Sequence, residues 1–343
     1  MTRHKAAATG APDDTRLPTR AGLRLRMKKR SAYAIARWVF FLVSMLFLAR
    51  FAAGVVARGH GVFTLAPAMW WRIGASAVVF ASTAIFLVLG WRRLLSDMSH
   101  PLPLAATARV LCITQIAKYL PGNVGHHVGR VALARTALAV PPMLTAISIA
   151  QESALACLAA LLVGVAGYAW QPASNLPFAA ADVDFRYALA TVIGAGLLAL
   201  ALVNQARRSR RQPHPMLAWL IRMTPSWPAV RAALPFYLAT SLVNGVAVFV
   251  AASAVATVHA ADAWLLTGAY ALSWMVGFLI PGAPGGLGVR ESALVLLLGN
   301  AYAADTILAI SLLSRLATVA ADVLIFLAGV LLQRLGMDTS ASR

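Results

Sequence analysis

A proline- and glycine-rich segment at 281–291 interrupts an otherwise apolar part of this chain. It lies between two apolar runs, 263–280 and 292–300, and ends in adjacent arginine and glutamate residues. Two prolines and four glycines within eight residues are incompatible with a regular helix and leave backbone amides and carbonyls unpaired. Inside a membrane, unpaired backbone is tolerated only where protein buries it or where it lines a wet cavity. The segment therefore predicts two half-helices that meet at a protected loop.

The composition indicates that the apolar runs lie in a membrane. Of the 343 residues, 60% are hydrophobic and 12% are charged, whereas a soluble domain has about 25% charged residues. The net charge of +19 is concentrated in the N-terminal tail and in short loops between apolar runs. This pattern is typical of orientation by loop charge and of contact with anionic lipid, and no nucleic-acid partner is expected. Cys112 and Cys157 are too few and too distant to indicate a disulfide framework or a metal knuckle.

A second segment, 121–130, resembles the first one 160 residues earlier in the chain. The aligned residues are Pro121 with Pro281, Gly122 with Gly282, Gly125 with Gly285, and Arg130 with Arg290. After a further shift of three residues, 146–148 aligns with 309–311, and Glu152 falls opposite Arg315. We interpret the two segments as an internal duplication with repeat units of about 74–160 and 234–323.

The predicted fold class is an all-α polytopic membrane protein with about six spanning helices and two re-entrant broken-helix hairpins. Spans are expected at about 33–56, 69–90, 142–168, 186–204, 234–257 and 304–332. The half-helices are expected at 101–120 with 128–140, and at 263–280 with 292–303. Because Lys and Arg cluster on one side, both termini are placed in the cytoplasm. The two units then enter the membrane in opposite directions, as in the inverted repeats of secondary transporters.

The domain boundaries follow from the same pattern. Residues 1–30 are polar and basic and are predicted to be a disordered cytoplasmic tail, not a signal peptide, because the following apolar run is too long. Residues 31–335 are predicted to form a single transmembrane domain, and 336–343 a short tail. Within the domain, 205–232 is basic and proline-rich, which predicts an interfacial linker.

Charged side chains at membrane depth indicate the candidate site. Each costs on the order of 2.5–3.5 kcal/mol on insertion scales, so each should be paired or face water. Guanidinium binds phosphate through two parallel hydrogen bonds, and helix N-termini add amide donors. We hypothesise a polar groove in which three arginines bind a lipid phosphate and two glutamates balance the charge: Arg130, Arg290 and Arg315, with Glu152 and Glu291. The alternative is an internal salt-bridge network that only holds the broken helices together.

Loop residues are expected to supply the backbone and lining of this groove. The predicted backbone set is Pro121, Gly122, Gly125, Pro281, Gly282, Gly285, Gly286 and Gly288. The candidate lining residues are Lys118, Tyr119, Asn123, His126 and His127. For Lys118 and Arg109 the favoured interpretation is structural, because long basic side chains near helix ends can reach the membrane interface. The two histidines could form a metal pair, but no carboxylate or cysteine lies near them in sequence, so no metal and no cofactor is predicted.

The chain contains no sequence motif that indicates an enzyme. The glycines do not predict a nucleotide loop, since that motif follows a strand in a βαβ unit. Gly-x-Ser-x-Gly, His-Glu-x-x-His and paired catalytic carboxylates are absent from the sequence. Asp262, Asp305 and Asp322 could serve in a proton relay, although the first two lie near predicted span ends. We therefore do not expect catalysis.

The motifs resemble those of a known family, the lysylphosphatidylglycerol synthase transmembrane-region or flippase-like family, over about 33–335. The residues that carry the resemblance are Lys118-Tyr119-Leu120-Pro121-Gly122 with Gly125 and Arg130, then Gly285-Gly286-Leu287-Gly288-Val289-Arg290-Glu291, and Ser314-Arg315-Leu316 leading to Asp322. The resemblance implies a multi-pass protein of the bacterial inner membrane. In bifunctional members this region moves an aminoacylated phospholipid between leaflets. Since this chain has no aminoacyl-transferase domain, we expect a stand-alone member.

The sequence and the resemblance lead to two main functional hypotheses, one for a lipid-handling protein and one for an accessory subunit. The first is a flippase-like protein that translocates or binds an anionic phospholipid or a polyprenyl-phosphate lipid. The alternative is a non-transporting accessory subunit of an envelope glycosyltransferase or lipid-modifying system, which makes an envelope-biosynthesis enzyme a candidate partner. A third hypothesis is a membrane-embedded transferase that acts on a polyprenyl-phosphate substrate.

Overall fold

The structure is a computed structural model that describes residues 67–119, 125–172, 174, 176–177, 185–208, 214–280, 286 and 288–335. Within these residues every regular element is a helix. The first half comprises α1 (Pro67–Asp97), α2 (Leu104–Gln115) with a 3₁₀ turn η1 (Ile116–Tyr119), α3 (Gly125–Leu138), α4 (Pro142–Ala169) and α5 (Phe185–Arg208). The second half comprises α6 (Pro215–Met223), α7 (Trp227–Ala252), α8 (Asp262–Leu279), α9 (Val289–Leu298) and α10 (Ala304–Arg334).

Five of these helices, namely α1, α4, α5, α7 and α10, are long and apolar enough to cross a membrane. They confirm the all-helical, polytopic fold class and fall on five of the six predicted spans. The remaining predicted span, 33–56, lies outside the described residues, as do the predicted tails at 1–30 and 336–343. The total of six spans therefore stays a prediction.

Helix α7 begins earlier than the predicted start of its span at 234. Ser226 is its N-cap, and the Ser226 hydroxyl accepts a hydrogen bond from the backbone N–H of Ala229 at 3.1 Å. Pro228 lies in the first turn, where its missing N–H leaves no helical hydrogen bond unmade. The prolines that indicated a linker thus mark a helix start. The segment 205–232 contains the end of α5, the whole of α6 and the start of α7.

The described backbone departs from α-helical geometry at both predicted breaks. Before the first break, α2 tightens into the 3₁₀ turn η1. At the second, Ile280 is extended with ψ at 110°, and Gly286 and Gly288 have φ values of 69° and 80°, a left-handed region that glycine adopts readily. The segment α2–η1 is about 25 Å long and α9 about 15 Å, both shorter than a hydrocarbon core of about 30 Å. Their re-entrant topology stays a prediction.

Helices α1–α4 and α7–α10 pack against each other with reciprocal contacts. When α1–α4 are matched in order with α7–α10, each contact has a counterpart. Helix α4 packs on α8, and correspondingly α10 packs on α2; helix α1 packs on α10, and correspondingly α7 packs on α4. Helices α1 and α7, which open the two groups, pack on each other. Two units related by a two-fold axis are expected to show this pattern, because every contact recurs with the partners exchanged. We keep the internal duplication as the interpretation, and the opposite membrane orientation of the units stays a prediction.

Helices α4 and α8 approach each other closely at a glycine pair. A Cβ atom at Gly167 would lie 2.5 Å from the carbonyl oxygen of Trp264 and 2.7 Å from the Cα of Gly268. Small residues at a helix–helix interface permit such backbone contact within a membrane. This crossing sets the distance between two helices that both contribute side chains to the cavity described next.

Candidate functional site

A cavity of about 460 Å³ lies between the two groups of helices. Its walls come from α1–α4 and η1 on one side and from α7–α10 on the other. The volume falls in the range of about 300–1,000 Å³ that is usual for small-molecule sites. The three arginines singled out in the sequence, Arg130, Arg290 and Arg315, all line this cavity.

The first charged pair of the cavity joins α3 to α4. The Nη1 atom of Arg130 lies 2.5 Å from Oε2 of Glu152. The guanidinium also lies over the ring of Trp91, 4.9 Å from its centroid, and the Nε1 atom of Trp91 donates to the Ser148 hydroxyl at 2.9 Å. Arg130 is only 2% exposed. The pair is therefore a buried framework contact that ties α3 to α4 and α1.

The second charged pair joins α9 to α10 with the signs reversed. Nε of Arg315 donates to Oε1 of Glu291, and Nη2 of Arg315 donates to the backbone carbonyl of Gly286 at 3.1 Å. In the first pair the short helix after the loop carries the cation, whereas here it carries the carboxylate. From the sequence, Glu152 could neutralise either Arg130 or Arg290, and in the structure it pairs with Arg130.

A third buried pair connects the two groups of helices. The Nζ atom of Lys118, in η1, lies 2.7 Å from Oδ2 of Asp322 in α10, and the Tyr119 hydroxyl donates to the same carboxylate. Asp322 is 2% exposed. The explanation of Lys118 as a side chain that reaches the membrane interface is therefore wrong. Asp322 was considered only for a proton relay, because nothing in the sequence relates it to Lys118.

Arg290 is the remaining cation of the cavity. Its guanidinium lies over the ring of Tyr270, 4.9 Å from the centroid, and it makes no hydrogen bond or ion pair to any described residue. Its carbon chain passes between two glycines: a Cβ on Gly277 would lie 2.4 Å from Arg290 Cγ, and one on Gly286 would lie 2.9 Å from it. The glycines thus form a slot that holds Arg290 against the aromatic ring.

We expect Gly277→Ala to displace Arg290 from this slot. The added methyl group overlaps the arginine side chain, and overpacking of this kind costs about 1–3 kcal/mol. The free energy of unfolding in mixed detergent micelles measures the effect. Gly74→Ala in α1 is the matched control, since nothing lies within 4 Å of a Cβ at that position, and it should be neutral or slightly stabilising. Equal unfolding free energies for Gly277→Ala and the unaltered protein would contradict the slot.

The charges of the described cavity do not balance. Glu152 and Asp322 line the cavity, and Glu291 lies next to it as the partner of the lining residue Arg315; each of these three carboxylates pairs with one cation. The cations are Lys118, Arg130, Arg290 and Arg315. With the histidines counted as neutral, Arg290 is in excess of the carboxylates. This arrangement can receive a single negative charge.

A family profile described as the lysylphosphatidylglycerol synthase TM region matches residues 35–325. The chain belongs to this family. No curated protein matches the chain. Membership confirms the resemblance seen in the glycine-rich segment before α9, and it identifies a multi-pass membrane protein of a lipid-related family. All the cavity residues named above lie within the matched range.

The other residues predicted for the site of this family member are distributed as follows. His126 and His127 line the cavity with ring centroids 3.8 Å apart, and the described residues hold no cluster of three metal-ligating side chains. Gly125 begins α3 and Gly288 immediately precedes α9. Arg109 lies on α2 and is not among the cavity residues. Pro121, Gly122, Asn123, Pro281, Gly282 and Gly285 lie outside the described residues.

Sequence reasoning missed one wall of the cavity. Helix α7 contributes four polar but uncharged side chains, Tyr237, Thr240, Ser241 and Asn244. Their spacing of three and four residues places them on one helix face. A polar stripe along an otherwise apolar span was the signal that could have identified them.

Proposed function

We propose that this protein binds an anionic lipid through its phosphate group in the central cavity and moves the lipid between leaflets. The observation that carries the proposal is Arg290, a guanidinium that lines the cavity without a paired carboxylate among the described residues. An uncompensated charge at membrane depth is costly. A phosphate would compensate it and would accept two parallel hydrogen bonds from the guanidinium.

The arginines would have different roles in this function. Arg130 and Arg315 each retain a carboxylate partner, so they orient the cavity and add long-range attraction for an anion. Arg290 would make the principal phosphate contact. Glu152 and Glu291 would balance the charge of the two framework arginines, as hypothesised from the sequence.

The walls of the cavity suit a lipid better than a free ion. The cavity is lined by polar and charged side chains from α4, α7 and α9 and also by apolar ones, among them Phe80 and Leu87 of α1 and Ile325 of α10. A headgroup could occupy the polar part while the acyl chains stay in apolar surroundings. Rocking of one helix group against the other would expose the cavity to alternate leaflets, and it would require the Lys118–Asp322 contact to open and re-form.

We propose a bacterial inner membrane with the N-terminus in the cytoplasm, and the charge distribution supports this orientation. The C-terminal ends of α1 and α5 lie beside the N-terminus of α7, because Ser226 donates to Asp97 at 3.0 Å and the Asn204 side chain accepts from the Trp227 N–H at 3.1 Å. Arg92, Arg93, Arg207 and Arg208 belong to this end, which by loop charge is the cytoplasmic one. The proposed activity needs no cofactor and no catalytic step, and an envelope-biosynthesis enzyme stays a candidate partner.

Proteoliposomes would test the proposal with fluorescent phosphatidylglycerol and phosphatidylcholine. We expect leaflet exchange and binding of the anionic lipid above the level of empty vesicles. Arg290→Gln should weaken phosphatidylglycerol binding about 10- to 100-fold, because hydrogen bonds to a charged group are lost. Arg231→Gln is the matched control, since Arg231 is exposed on the first turns of α7, and it should leave binding unchanged.

The folded fraction of each variant, measured by size exclusion, separates loss of binding from loss of structure. Exchange equal to that of empty vesicles for both lipids, together with binding that Arg290→Gln does not alter, would overturn the proposal. That result would favour the accessory-subunit alternative, in which Arg290 variants affect partner retention instead.

A further inference from the structure

Helix α6 lies outside the central cavity and is fixed to the bundle at its C-terminal end. Nη2 of Arg207, in the last turn of α5, donates to the backbone carbonyls of Ile221 and Thr224 at 2.6 Å each. The Gln151 side chain of α4 also donates to the Thr224 carbonyl, at 3.3 Å. These bonds satisfy carbonyls that a helix end otherwise leaves unpaired. The end of α6 is therefore held against α4 and α5.

The position of this contact places α6 at a membrane surface. Helix α5 ends at Arg208 and α7 begins at Trp227, and both helices are long and apolar enough to span a membrane. Oδ1 of Asn204 in α5 accepts from the Trp227 N–H at 3.1 Å, and Nδ2 of Asn204 donates to the Pro225 carbonyl at 3.3 Å. The two spans thus meet where they leave the hydrocarbon. Helix α6, which lies between them in the chain, is held at this boundary.

The exposed face of α6 combines apolar and aromatic side chains with a cation. Met216 is 68% exposed and Trp219 is 52% exposed, and Arg222, three residues later, is also exposed. Their spacing places them along one side of the helix, and none of the residues of α6 is buried. Exposure of such apolar surface to water is unfavourable. At a membrane interface, by contrast, the apolar side chains reach the acyl region and the arginine reaches the phosphates.

Positive charge accompanies this face. Arg208, the last residue of α5, is exposed, and Arg210 and Arg211 follow it in sequence. Of the described carboxylates, Asp97 lies at this end of the bundle, where its two oxygens accept from the Ser226 hydroxyl at 3.1 and 3.0 Å. The cations outnumber this carboxylate. The surface that complements them is an anionic one, and basic segments beside a membrane attract anionic lipid.

We infer that the α6 face, defined as Met216, Trp219 and Arg222 with the adjacent Arg208, is a docking surface for anionic phospholipid of the leaflet at this end of the bundle. The two guanidinium groups pair with the lipid charge, and Met216 and Trp219 insert beside the upper parts of the acyl chains. A lipid fits better than an acidic protein, because the apolar side chains lie at the membrane boundary. The face is not part of the central cavity, so this inference does not rest on the proposed function.

Quenching of Trp219 fluorescence by brominated lipids would test the docking surface. The full chain is placed in nanodiscs of equal parts phosphatidylglycerol and phosphatidylcholine, with bromine on the acyl chains of one lipid or of the other. The chain has nine tryptophans, so the signal of Trp219 is the difference between the unaltered protein and Trp219→Phe. We expect both lipids to quench Trp219, with phosphatidylglycerol favoured about fivefold, the effect of about one arginine near an anionic surface.

Removal of the two arginines should abolish the preference and leave the helix in contact with lipid. We expect Arg208→Gln combined with Arg222→Gln to bring the quenching ratio of the two lipids towards one. Arg135→Gln combined with Arg231→Gln is the matched control, because both are exposed arginines outside the α6 face, and it should leave the ratio unchanged. Arg290→Gln should leave it unchanged as well, although it weakens lipid binding in the central cavity.

The failing outcomes are distinct from one another. Quenching of Trp219 by neither lipid would overturn the inference, because the face would then contact protein or water. Equal quenching by the two lipids would also overturn it, since the contact would not depend on charge. A preference that only Arg290→Gln abolishes would belong to the central cavity and would overturn it too. The decisive comparison uses the unaltered protein and a substitution at the exposed Trp219, so a double variant that does not fold leaves the result intact.

Discussion

Glu152→Gln is expected to lower the free energy of unfolding by about 3–5 kcal/mol, the usual effect of removing one partner of a buried ion pair. The substitution leaves Arg130, which is 2% exposed, without the carboxylate that lies 2.5 Å from it. The guanidinium would keep its contact with the Trp91 ring, and such a contact is worth about 2 kcal/mol when desolvated. It cannot replace a counter-ion in apolar surroundings.

Reversible unfolding in mixed detergent micelles measures this loss. The double variant Arg130→Met with Glu152→Leu is the control, because replacing both charges with apolar groups of similar volume is often neutral. We expect it to recover most of the stability lost in Glu152→Gln. A loss below about 1 kcal/mol in the single variant, as for an exposed pair, would contradict the buried pair described here.

Gly167→Val is expected to destabilise the protein by about 3 kcal/mol, at the upper end of the usual range for overpacking. The new Cβ would lie 2.5 Å from the Trp264 carbonyl oxygen and 2.7 Å from the Gly268 Cα. Both are backbone atoms, so no rotamer change relieves the overlap and α4 must separate from α8. Because α4 carries Glu152 and α8 carries Tyr270, the separation would also displace two walls of the cavity and weaken anionic-lipid binding.

Gly196→Val in α5 is the matched control for this crossing. It introduces the same side chain into a helix, so the change in helix propensity is the same, but no atom lies within 4 Å of a Cβ at Gly196. The folded fraction after solubilisation and the free energy of unfolding should fall only for Gly167→Val. Equal values for the two variants would show that α4 and α8 are not in backbone contact.

The two buried arginine–glutamate pairs suggest why the charges after the loops do not simply repeat. Each short helix that follows a loop is tied to the next long helix by one pair, although the cation and the carboxylate exchange places. Reversal of one pair keeps its attraction and its local neutrality. The additional cation, Arg290, precedes Glu291 in α9, so only this side of the cavity carries an unpaired charge among the described residues.

Much of the architecture was predictable from the sequence. The apolar runs located five long helices, because only a helix satisfies all its backbone hydrogen bonds within a bilayer. The prolines and glycines located the breaks, because those residues lack a hydrogen-bond donor or a Cβ. The start of α7 was misplaced, since Pro228 is as compatible with the first turn of a helix as with a linker.

The candidate site was only partly predictable, because pairing depends on which helices meet. The cost of a charge in a membrane marks Arg130, Glu152, Arg290, Glu291 and Arg315 in any chain of this kind. Lys118 and Asp322 are 204 residues apart, and no local pattern relates them.

The sequence by itself determined the helical, membrane-spanning class, the positions of the breaks and the set of charges that must be compensated, because these follow from local chemistry and the thickness of a bilayer. Only the tertiary structure decided which carboxylate compensates which cation, that Arg290 has no carboxylate partner among the described residues, and that the polar face of α7 lines the same cavity. The reason is physical: a charge in apolar surroundings is stabilised by its nearest partner in space, and packing between distant segments decides which partner that is.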